Sequence, residues 1–195
     1  MTAGTTIPSP LGDLLLVGEE TADGITLTSL SMSGPAARPG SAARPGPAAR
    51  PGPAARPGPA ARPGPAARPG RRQDARPFAE IIRQVEAYFA GELTRFDIRF
   101  TSSGTDFQQR VWRAVEEIPY GATTTYGTLA GQLGLPRDRI QALGAAIGAN
   151  PLLLVRPCHR VIGADGSMRG YAGGVERKVQ LLTHEGALQP ALLSL

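Results

Sequence analysis

Two apolar segments in the first 33 residues predict β-strands. The segments TTIPSPLGDLLLVGEE and GITLTSLSM are separated by Ala22-Asp23-Gly24, a combination typical of a tight turn. We therefore expect a small antiparallel sheet in this part of the chain.

Apolar residues take up a helical spacing further along the chain. They recur from Phe78 to Phe89 at helical intervals, and Gly91 is placed to end the helix. Apolar and charged residues then alternate over residues 95–100, which predicts a half-buried strand. Together with the sheet, these elements predict an N-terminal α/β lobe.

Helical patterns dominate the next part of the chain. Thr105 and Gln108 have the spacing of a capping box, at the start of a helix that Pro119 ends. Two short helices are predicted over 126–133 and 137–149, and a Gly-Leu-Pro turn joins them, as in a helix-turn-helix.

Two further elements flank the one cysteine: a buried strand over 152–155 and a last helix over 175–184. The predicted fold is α+β, in which a small N-terminal α/β lobe (antiparallel sheet plus helix) accompanies a mostly helical C-terminal domain with a helix-turn-helix. The expected divisions are 1–33 for the sheet strands, 34–76 for a disordered low-complexity insertion, 77–101 for the rest of the N-terminal lobe, 102–189 for the C-terminal domain and 190–195 for a tail.

Composition narrows the class of protein. With 195 residues and 41% hydrophobic residues, the chain can bury the core of one domain or two small lobes. No apolar run is long enough to span a bilayer and no signal-peptide pattern is present, so a cytoplasmic protein without a membrane partner is expected. One cysteine and two histidines cannot form a disulfide within the chain or supply four zinc ligands, so no metal site is expected.

The net charge of +5 comes mainly from one repeat. Residues 35–70 contain PAARPG-type repeats with six of the 21 basic residues and no acid, which leaves 15 basic against 16 acidic residues elsewhere. Proline and glycine prevent regular structure here, and alanine offers little to bury. The repeat is either a basic arm that binds nucleic acid non-specifically or, as we favour, an inert low-complexity loop.

The predicted helix over 137–149 is rich in alanine and glycine. Its backbone can approach another surface closely. That surface is either a second helix of the same protein or a ligand groove, and the composition alone does not choose between them.

Cys158 is the candidate for covalent chemistry. A lone cysteine among apolar segments is usually an inert core residue. Positive charge from Arg156, His159 and Arg160 is expected to favour the thiolate, and Pro157 fixes the local backbone. Such a thiol suits a protease, an acyl transferase, a redox sensor or an alkyl acceptor.

A cysteine activated by histidine usually needs a third group that orients the imidazole. His184-Glu185, at the end of the last predicted helix, offers a histidine and a carboxylate. We interpret His184 as an ordinary helix-terminal residue.

Six motifs resemble one family. PCHRVIG from Pro157, GYAGG from Gly170 and LLTHEG from Leu181 are similar to the C-terminal domain of the O6-alkylguanine-DNA alkyltransferases, also called methylated-DNA-protein-cysteine methyltransferases. GTDFQQRVW, IPYG and GANP precede them in the same order. The resemblance covers residues 77–189 strongly and the first 33 residues more weakly.

The resemblance implies repair of O6-alkylguanine, and of O4-alkylthymine as a further substrate, in double-stranded DNA. The alkyl group would pass irreversibly to Cys158 in a single turnover without a cofactor, and the protein would act as a monomer. His159 and Glu185, through a water molecule, would produce the thiolate, and Tyr126 would offer a proton to guanine N3.

The resemblance also assigns DNA-binding positions. Asn150 would tie the recognition helix to the active-site segment, Arg160 would brace the cysteine loop, and backbone near Val161 would contact the guanine amine. Tyr171 and Gly173 belong to the loop that covers a flipped base. The recognition helix, with Ala142 and Gly144, would lie in the minor groove.

Surrounding cations would offset phosphate charge. Between residues 137 and 178, seven basic residues accompany three acidic ones. The seven basic residues are Arg137, Arg139, Arg156, Arg160, Arg169, Arg177 and Lys178.

Three positions depart from the family pattern. Gln141 stands where an arginine usually fills the space left by the flipped base, and Arg139 lies two residues earlier. Arg156 replaces an apolar residue, and Ala172 takes a position that is serine in some members. We expect slower flipping or weaker DNA binding from Gln141.

Two other functions are compatible with parts of the pattern. A sensor that binds alkylated DNA without transfer is the main alternative, although relatives of that kind lack the cysteine. A cysteine hydrolase would instead release its product and turn over many times.

Overall fold

A four-stranded sheet forms the N-terminal lobe in the computed structural model, which describes residues 1–22, 24–33, 72–168 and 170–188. Strands β1 (Thr2–Ile7), β2 (Asp13–Thr21) and β3 (Gly24–Ser33) are antiparallel, and the two-residue β4 (Arg72–Gln73) pairs parallel with β1. The strand order is β3-β2-β1-β4. The predicted antiparallel sheet is therefore confirmed.

The repeat lies outside the described residues. The sequence places the end of the insertion at residue 76, whereas Arg72 and Gln73 already form β4, whose backbone pairs with β1. The predicted tail, 190–195, also lies outside the described residues.

Helix α1 (Ala79–Phe89) supplies the helical part of the lobe. Its apolar spacing buries Ile81, Val85 and Tyr88 in the same core as Leu14 and Leu16 of β2. The apolar side chains of α1 and of β2 thus pack in one shared core, as expected for an α/β lobe.

The segment over 95–100 does not form the predicted strand. It makes one isolated bridge, between Phe100 and Leu27. The Gln84 side chain donates to the Asp97 carbonyl (2.9 Å) and accepts from the Asp97 N–H (2.8 Å), so a side chain satisfies backbone groups that a ladder would otherwise use.

In the C-terminal half, four α-helices, two 3₁₀ turns and two short strands follow the predicted pattern closely, with two changes. Its elements are α2 (Asp106–Glu116), β5 (Thr124–Thr125), α3 (Tyr126–Gln132), a 3₁₀ turn (Arg137–Arg139), α4 (Ile140–Gly148), a 3₁₀ turn (Cys158–Arg160), β6 (Val161–Ile162) and α5 (Val175–His184). The predicted helix over 137–149 begins with the 3₁₀ turn. The second change concerns residues 152–155.

Residues 152–154 are buried as predicted and Val155 is half-buried, yet the segment forms a turn instead of a strand. Leu154 has a φ of +72°, and the Arg156 N–H donates to the Leu152 carbonyl at 2.9 Å. One bridge joins Leu152 to Leu30 of β3. Since β3 also bridges Phe100, its exposed edge is shared by two segments and neither extends into a ladder.

Two contacts position the region around Cys158. The indole N–H of Trp112, in α2, donates to the Ala146 carbonyl of α4 (2.9 Å), and the capping box of Thr105 and Gln108 starts α2. Parallel pairing of β5 with β6 brings the first residue of α3, Tyr126, beside the segment that carries the cysteine. Both lobes share one apolar core, and the cysteine segment lies where they join.

Candidate active site

Cys158 begins a 3₁₀ turn and is only 4% exposed. Its N–H donates to the Arg156 carbonyl at 2.8 Å, and Asn150 Nδ2 donates to its sulfur at 3.2 Å. The backbone and Asn150 therefore hold the thiol in one direction.

Burial raises the pKa of the Cys158 thiol above its ordinary value. The Asn150 hydrogen bond and the charges of Lys178 and Arg156 act in the opposite direction without cancelling the effect. Arg156 therefore favours the thiolate, as expected, but removal of the sulfur from water is the stronger effect and decides the direction of the shift. The sulfur is a neutral thiol at neutral pH and needs a base.

His159 lies beside Cys158 and is completely buried. Its Nε2 is 2.8 Å from Glu185 Oε1. Burial lowers the pKa of the imidazole, whereas the pKa of Glu185 is lowered to about 2 despite burial, through hydrogen bonds from His159 and Arg160. A neutral imidazole facing an ionised carboxylate carries its proton on Nε2, so Nδ1 is the basic nitrogen.

His159 Nδ1 makes no hydrogen bond with any residue in the described part of the chain. A buried acceptor without a partner, on the residue that follows the cysteine in the same turn, is suited to act as a general base.

Glu185 accepts hydrogen bonds from two parts of the fold, α1 and the 3₁₀ turn that carries the cysteine. Tyr88 Oη of α1 donates at 2.7 Å, and Arg160 donates from Nε (2.8 Å) and Nη2 (2.9 Å). Arg160 Nη1 also donates to the Ile118 carbonyl at 2.5 Å. The arginine charge is thus used to hold the carboxylate and the loop after α2.

Two tyrosines flank the thiol. The pKa values of Tyr126 and Tyr171 are raised first by burial and then by the nearby Cys158. The Tyr171 ring meets the His159 ring edge to face at 6.2 Å. A Cβ on Gly173 would lie 2.6 Å from the Tyr171 ring and 2.9 Å from Met32 Sδ, so only glycine fits there.

The small residues of α4 face outward. Leu143, Ala146 and Ile147 are buried, whereas the opposite face is exposed. The exposed face, termed the small-residue face, consists of Gln141, Ala145, Gly148 and Ala149. A Cβ on Gly148 would meet no atom within 4 Å, so internal packing does not require this composition.

The predicted cation cluster is wrong as a DNA-facing surface. Arg156, Arg160, Arg177 and Lys178 are buried and bind groups of the protein. Arg169 lies outside the described residues. Only Arg137 and Arg139 of the seven are exposed in the described ranges, and three exposed acids accompany them: Asp138, Asp165 and Glu176.

Three functional contacts escaped the sequence analysis. Lys178 Nζ donates to the Val161 carbonyl (2.6 Å), and burial lowers its pKa to about 8. Arg177 donates to the carbonyls of Leu11, Gly173 and Ser33, which ties the Tyr171 loop to the N-terminal lobe. Tyr88 lies at a helical interval from Val85, which identifies it as a core residue but not as a donor to a carboxylate 97 positions away.

The described residues also limit other chemistry. Among them, no group of three or more histidines, cysteines or acids is placed to hold a metal ion. No helix within the same ranges is both long and apolar enough to cross a membrane.

The Glu185 carboxyl makes a testable contribution to stability. Because its folded pKa of about 2 lies below the ordinary 4.5, its stabilising effect is present above the ordinary pKa and is lost as pH falls toward 2. We expect Glu185→Gln to lower the free energy of unfolding by about 3 kcal/mol at pH 7, since Arg160 loses its buried partner. The difference from wild type should narrow between about pH 5 and pH 2 in urea unfolding followed by Trp112 fluorescence.

The exposed Glu117 provides the matched control. Glu117→Gln should change stability little at any pH in this range. A Glu185→Gln difference that stays constant with pH would contradict the assignment.

Comparison with known proteins places the chain in a family. The family model described as the 6-O-methylguanine DNA methyltransferase DNA binding domain matches residues 106–187, and the model of the ribonuclease-like domain of the same proteins matches residues 4–101. The chain is 51% identical over 123 residues to a methylated-DNA-protein-cysteine methyltransferase of Mycolicibacterium paratuberculosis, covering 63% of this chain and 74% of that protein.

Solved structures agree over nearly the whole length. The crystal structure of the Mycobacterium tuberculosis O6-methylguanine methyltransferase matches with a TM-score of 0.73 and 39% identity, covering 99% of this chain and 98% of that one. A crystal structure of the same organism's OGT in complex with DNA matches with a TM-score of 0.72 and 39% identity, covering 97% and 96%. The chain belongs to the 6-O-methylguanine DNA methyltransferase family.

Proposed function

We propose that this protein repairs DNA by moving an alkyl group from O6 of guanine to its own Cys158. The observation that carries the proposal is the buried thiol beside a neutral His159 whose Nδ1 is available and whose Nε2–H is fixed by Glu185. The motif context, and the names of the relatives described above, point to an alkyl acceptor instead of a hydrolase.

The reaction needs a thiolate only at the moment of attack. A water molecule carries the proton from Sγ to His159 Nδ1, and the resulting imidazolium is stabilised by the ionised Glu185. The sulfur electron pair then forms the S–C bond while the C–O6 bond breaks. The bond electrons remain on the guanine, which takes up a proton; we assign its donation to Tyr126 at guanine N3.

The product explains a single turnover. A thioether is a poor leaving group, so the alkyl group stays on Cys158 and the restored guanine leaves. O4-alkylthymine presents the same type of carbon on an aryl-like oxygen, and we propose it as a second substrate.

DNA engagement follows from the outward face of α4. We assign α3 and α4 to a helix-turn-helix whose small-residue face lies in the minor groove, since its lack of bulk permits close approach. A cysteine buried in a pocket cannot reach a stacked base, so the nucleotide must be flipped toward Tyr171 and Gly173. Ala142 and Gly144 are half-buried beside this face, and Gly144 lies next to Tyr126.

The remaining assignments are also proposals. Residues 102–189 form the DNA-binding and acceptor domain, and 34–71 is an insertion with no part in DNA affinity. Because the thiol must stay reduced, we propose that the protein lies in the cytoplasm. We also propose that it acts as a monomer.

The acceptor assignment is tested by mass spectrometry. After incubation with duplex DNA carrying O6-methylguanine, we expect one methyl group per protein on the Cys158 peptide, and none in Cys158→Ser. An unmodified protein that still binds the lesion would support the sensor function instead. Repeated turnover would support a hydrolase.

Gln141 limits the rate of transfer if it stands where a charged side chain would assist flipping. It is exposed in the first turn of α4. Gln141→Arg should speed methyl transfer from duplex DNA about five- to tenfold, because a guanidinium adds a charge-assisted contact. Gln141→Met, of similar length and without charge, is the control in single-turnover kinetics; an equal gain in both variants would overturn the charge argument.

The two exposed arginines should account for part of the salt dependence of DNA binding. Arg137→Gln combined with Arg139→Gln should reduce the slope of log affinity against log salt by about 2. Replacing residues 34–71 by about twelve Gly/Ser residues, whose reach of about 40 Å exceeds the roughly 15 Å across the sheet, should leave the slope unchanged. A smaller slope in the second variant would show that the repeat is a DNA-binding arm.

A further inference from the structure

A buried arginine lies immediately behind the acceptor cysteine. Arg156 is only 3% exposed, at a position where the family resemblance leads us to expect an apolar residue. Its Nε donates to Glu116 Oε1 at 2.6 Å, and Nη1 and Nη2 both lie 3.3 Å from Ser102 Oγ. The guanidinium carbon is also 4.7 Å from the centroid of the Trp112 ring. This side chain is therefore held firmly by α2 and by the segment before it.

The same guanidinium reaches the side chain that contacts the sulfur. Arg156 Nη1 lies 3.4 Å from Asn150 Oδ1, and at the other end of that amide Nδ2 donates to Cys158 Sγ at 3.2 Å. Arg156, Asn150 and Cys158 thus form a short chain of polar contacts in a site that is almost closed to solvent.

The contacts of Asn150 fix its orientation. Its Oδ1 faces two donors, the Arg156 guanidinium and the Leu152 N–H at 3.0 Å, while Nδ2 faces the carbonyls of Arg156 (3.0 Å) and Leu152 (3.3 Å) as well as the sulfur. A flipped amide would set its NH₂ group against two donors and its oxygen against two carbonyls and the sulfur. Only one orientation satisfies these groups, and in it an N–H points to the sulfur.

We propose that Arg156 is a positioning residue of the acceptor site, which holds and polarises the Asn150 amide so that its N–H stabilises negative charge on Cys158 as the proton leaves. A positive charge at Oδ1 draws electron density from Nδ2 and strengthens the N–H···S bond. This inference deepens the proposed function and rests on it for its role in alkyl transfer.

The action on sulfur passes mainly through the amide. The charge of Arg156 is paired with Glu116 at 2.6 Å, which weakens its field at a distance. Other groups also face the sulfur: Lys178 from α5, Tyr126 from α3, Tyr171 from the covering loop and His159 from the same turn. Lys178 exerts the larger direct effect of charge on the thiol and Arg156 a smaller one. We therefore expect the loss of Arg156 to be visible chiefly when Asn150 is present.

Thiolate absorbance at 240 nm gives a direct test, because the chain contains one cysteine. Wild type and Arg156→Met are titrated with pH, each against its own Cys158→Ser version to subtract tyrosine ionisation. We expect the midpoint of Arg156→Met to rise by at least half a pH unit, which is about threefold less thiolate at neutral pH.

Arg156→Met is also made in an Asn150→Ala background, which tests whether Arg156 acts on the sulfur through the Asn150 amide. If Arg156 acts through the amide, its effect on the midpoint should fall to less than half in that background. An unchanged midpoint in Arg156→Met would overturn the proposal, since a purely structural arginine would leave the thiol unaffected. An equal shift in both backgrounds would also overturn it, in favour of direct charge.

Two further variants guard against trivial effects. Arg113→Met removes an exposed arginine from α2, the helix that carries Glu116, and should leave the midpoint unchanged. Arg156→Lys keeps the charge but lacks the forked donors. If Arg156→Met does not fold, Arg156→Lys takes its place and should also raise the midpoint.

Methyl transfer from O6-methylguanine duplex is measured separately. Arg156→Met should react about threefold more slowly at pH 7 and approach the wild-type rate as pH rises. If wild type accepts no methyl group while the titration results hold, the proposed function fails and the coupling of Arg156 to the thiol stands.

Discussion

The buried carboxylate of Glu185 is the constraint on which the acceptor site depends. One side chain accepts hydrogen bonds from Tyr88 of α1, from His159 and twice from Arg160. These donors compensate the loss of water around the charge, which burial alone would make prohibitive. The same bonds join the N-terminal lobe, the cysteine turn and the end of α5. The Glu185 carboxylate therefore serves both the chemistry of the site and the junction between the lobes, and a substitution there would affect both.

Local periodicity predicted most of the regular elements. The helix over 175–184 and the capping box at Thr105 follow from local sequence, because neighbouring side chains decide them. Residues 95–100 and 152–155 have strand-like composition but lie against a single edge, that of β3, which leaves each of them one bridge. Strand formation depends on a partner distant in sequence, and no local pattern reports how much of that partner is free.

The site was predicted by motif, and its electrostatics were not. Sequence alone counts Arg160, Arg177 and Lys178 as charge available to DNA or to the thiol, whereas each is buried and bound to protein oxygens. A cation's role depends on which acceptors the fold brings to it, and those acceptors lie up to 166 positions away in sequence. Of the residues named from the family pattern, Asn150, Tyr126 and Tyr171 lie near Cys158. The direction of the pKa shift of Cys158 required knowledge of burial.

A neutral buried thiol is a reasonable starting state for an acceptor used once. While the thiol is buried and neutral, it does not react with electrophiles in general. His159, as the proton acceptor, and the Asn150 N–H then act only when a nucleobase enters the pocket. Negative charge on the sulfur is then stabilised by fixed dipoles close to it and not by surface cations, which α4 lacks. In this chain, a buried arginine behind the asparagine contributes to this stabilisation from inside the protein, while α4 itself carries no charged side chain.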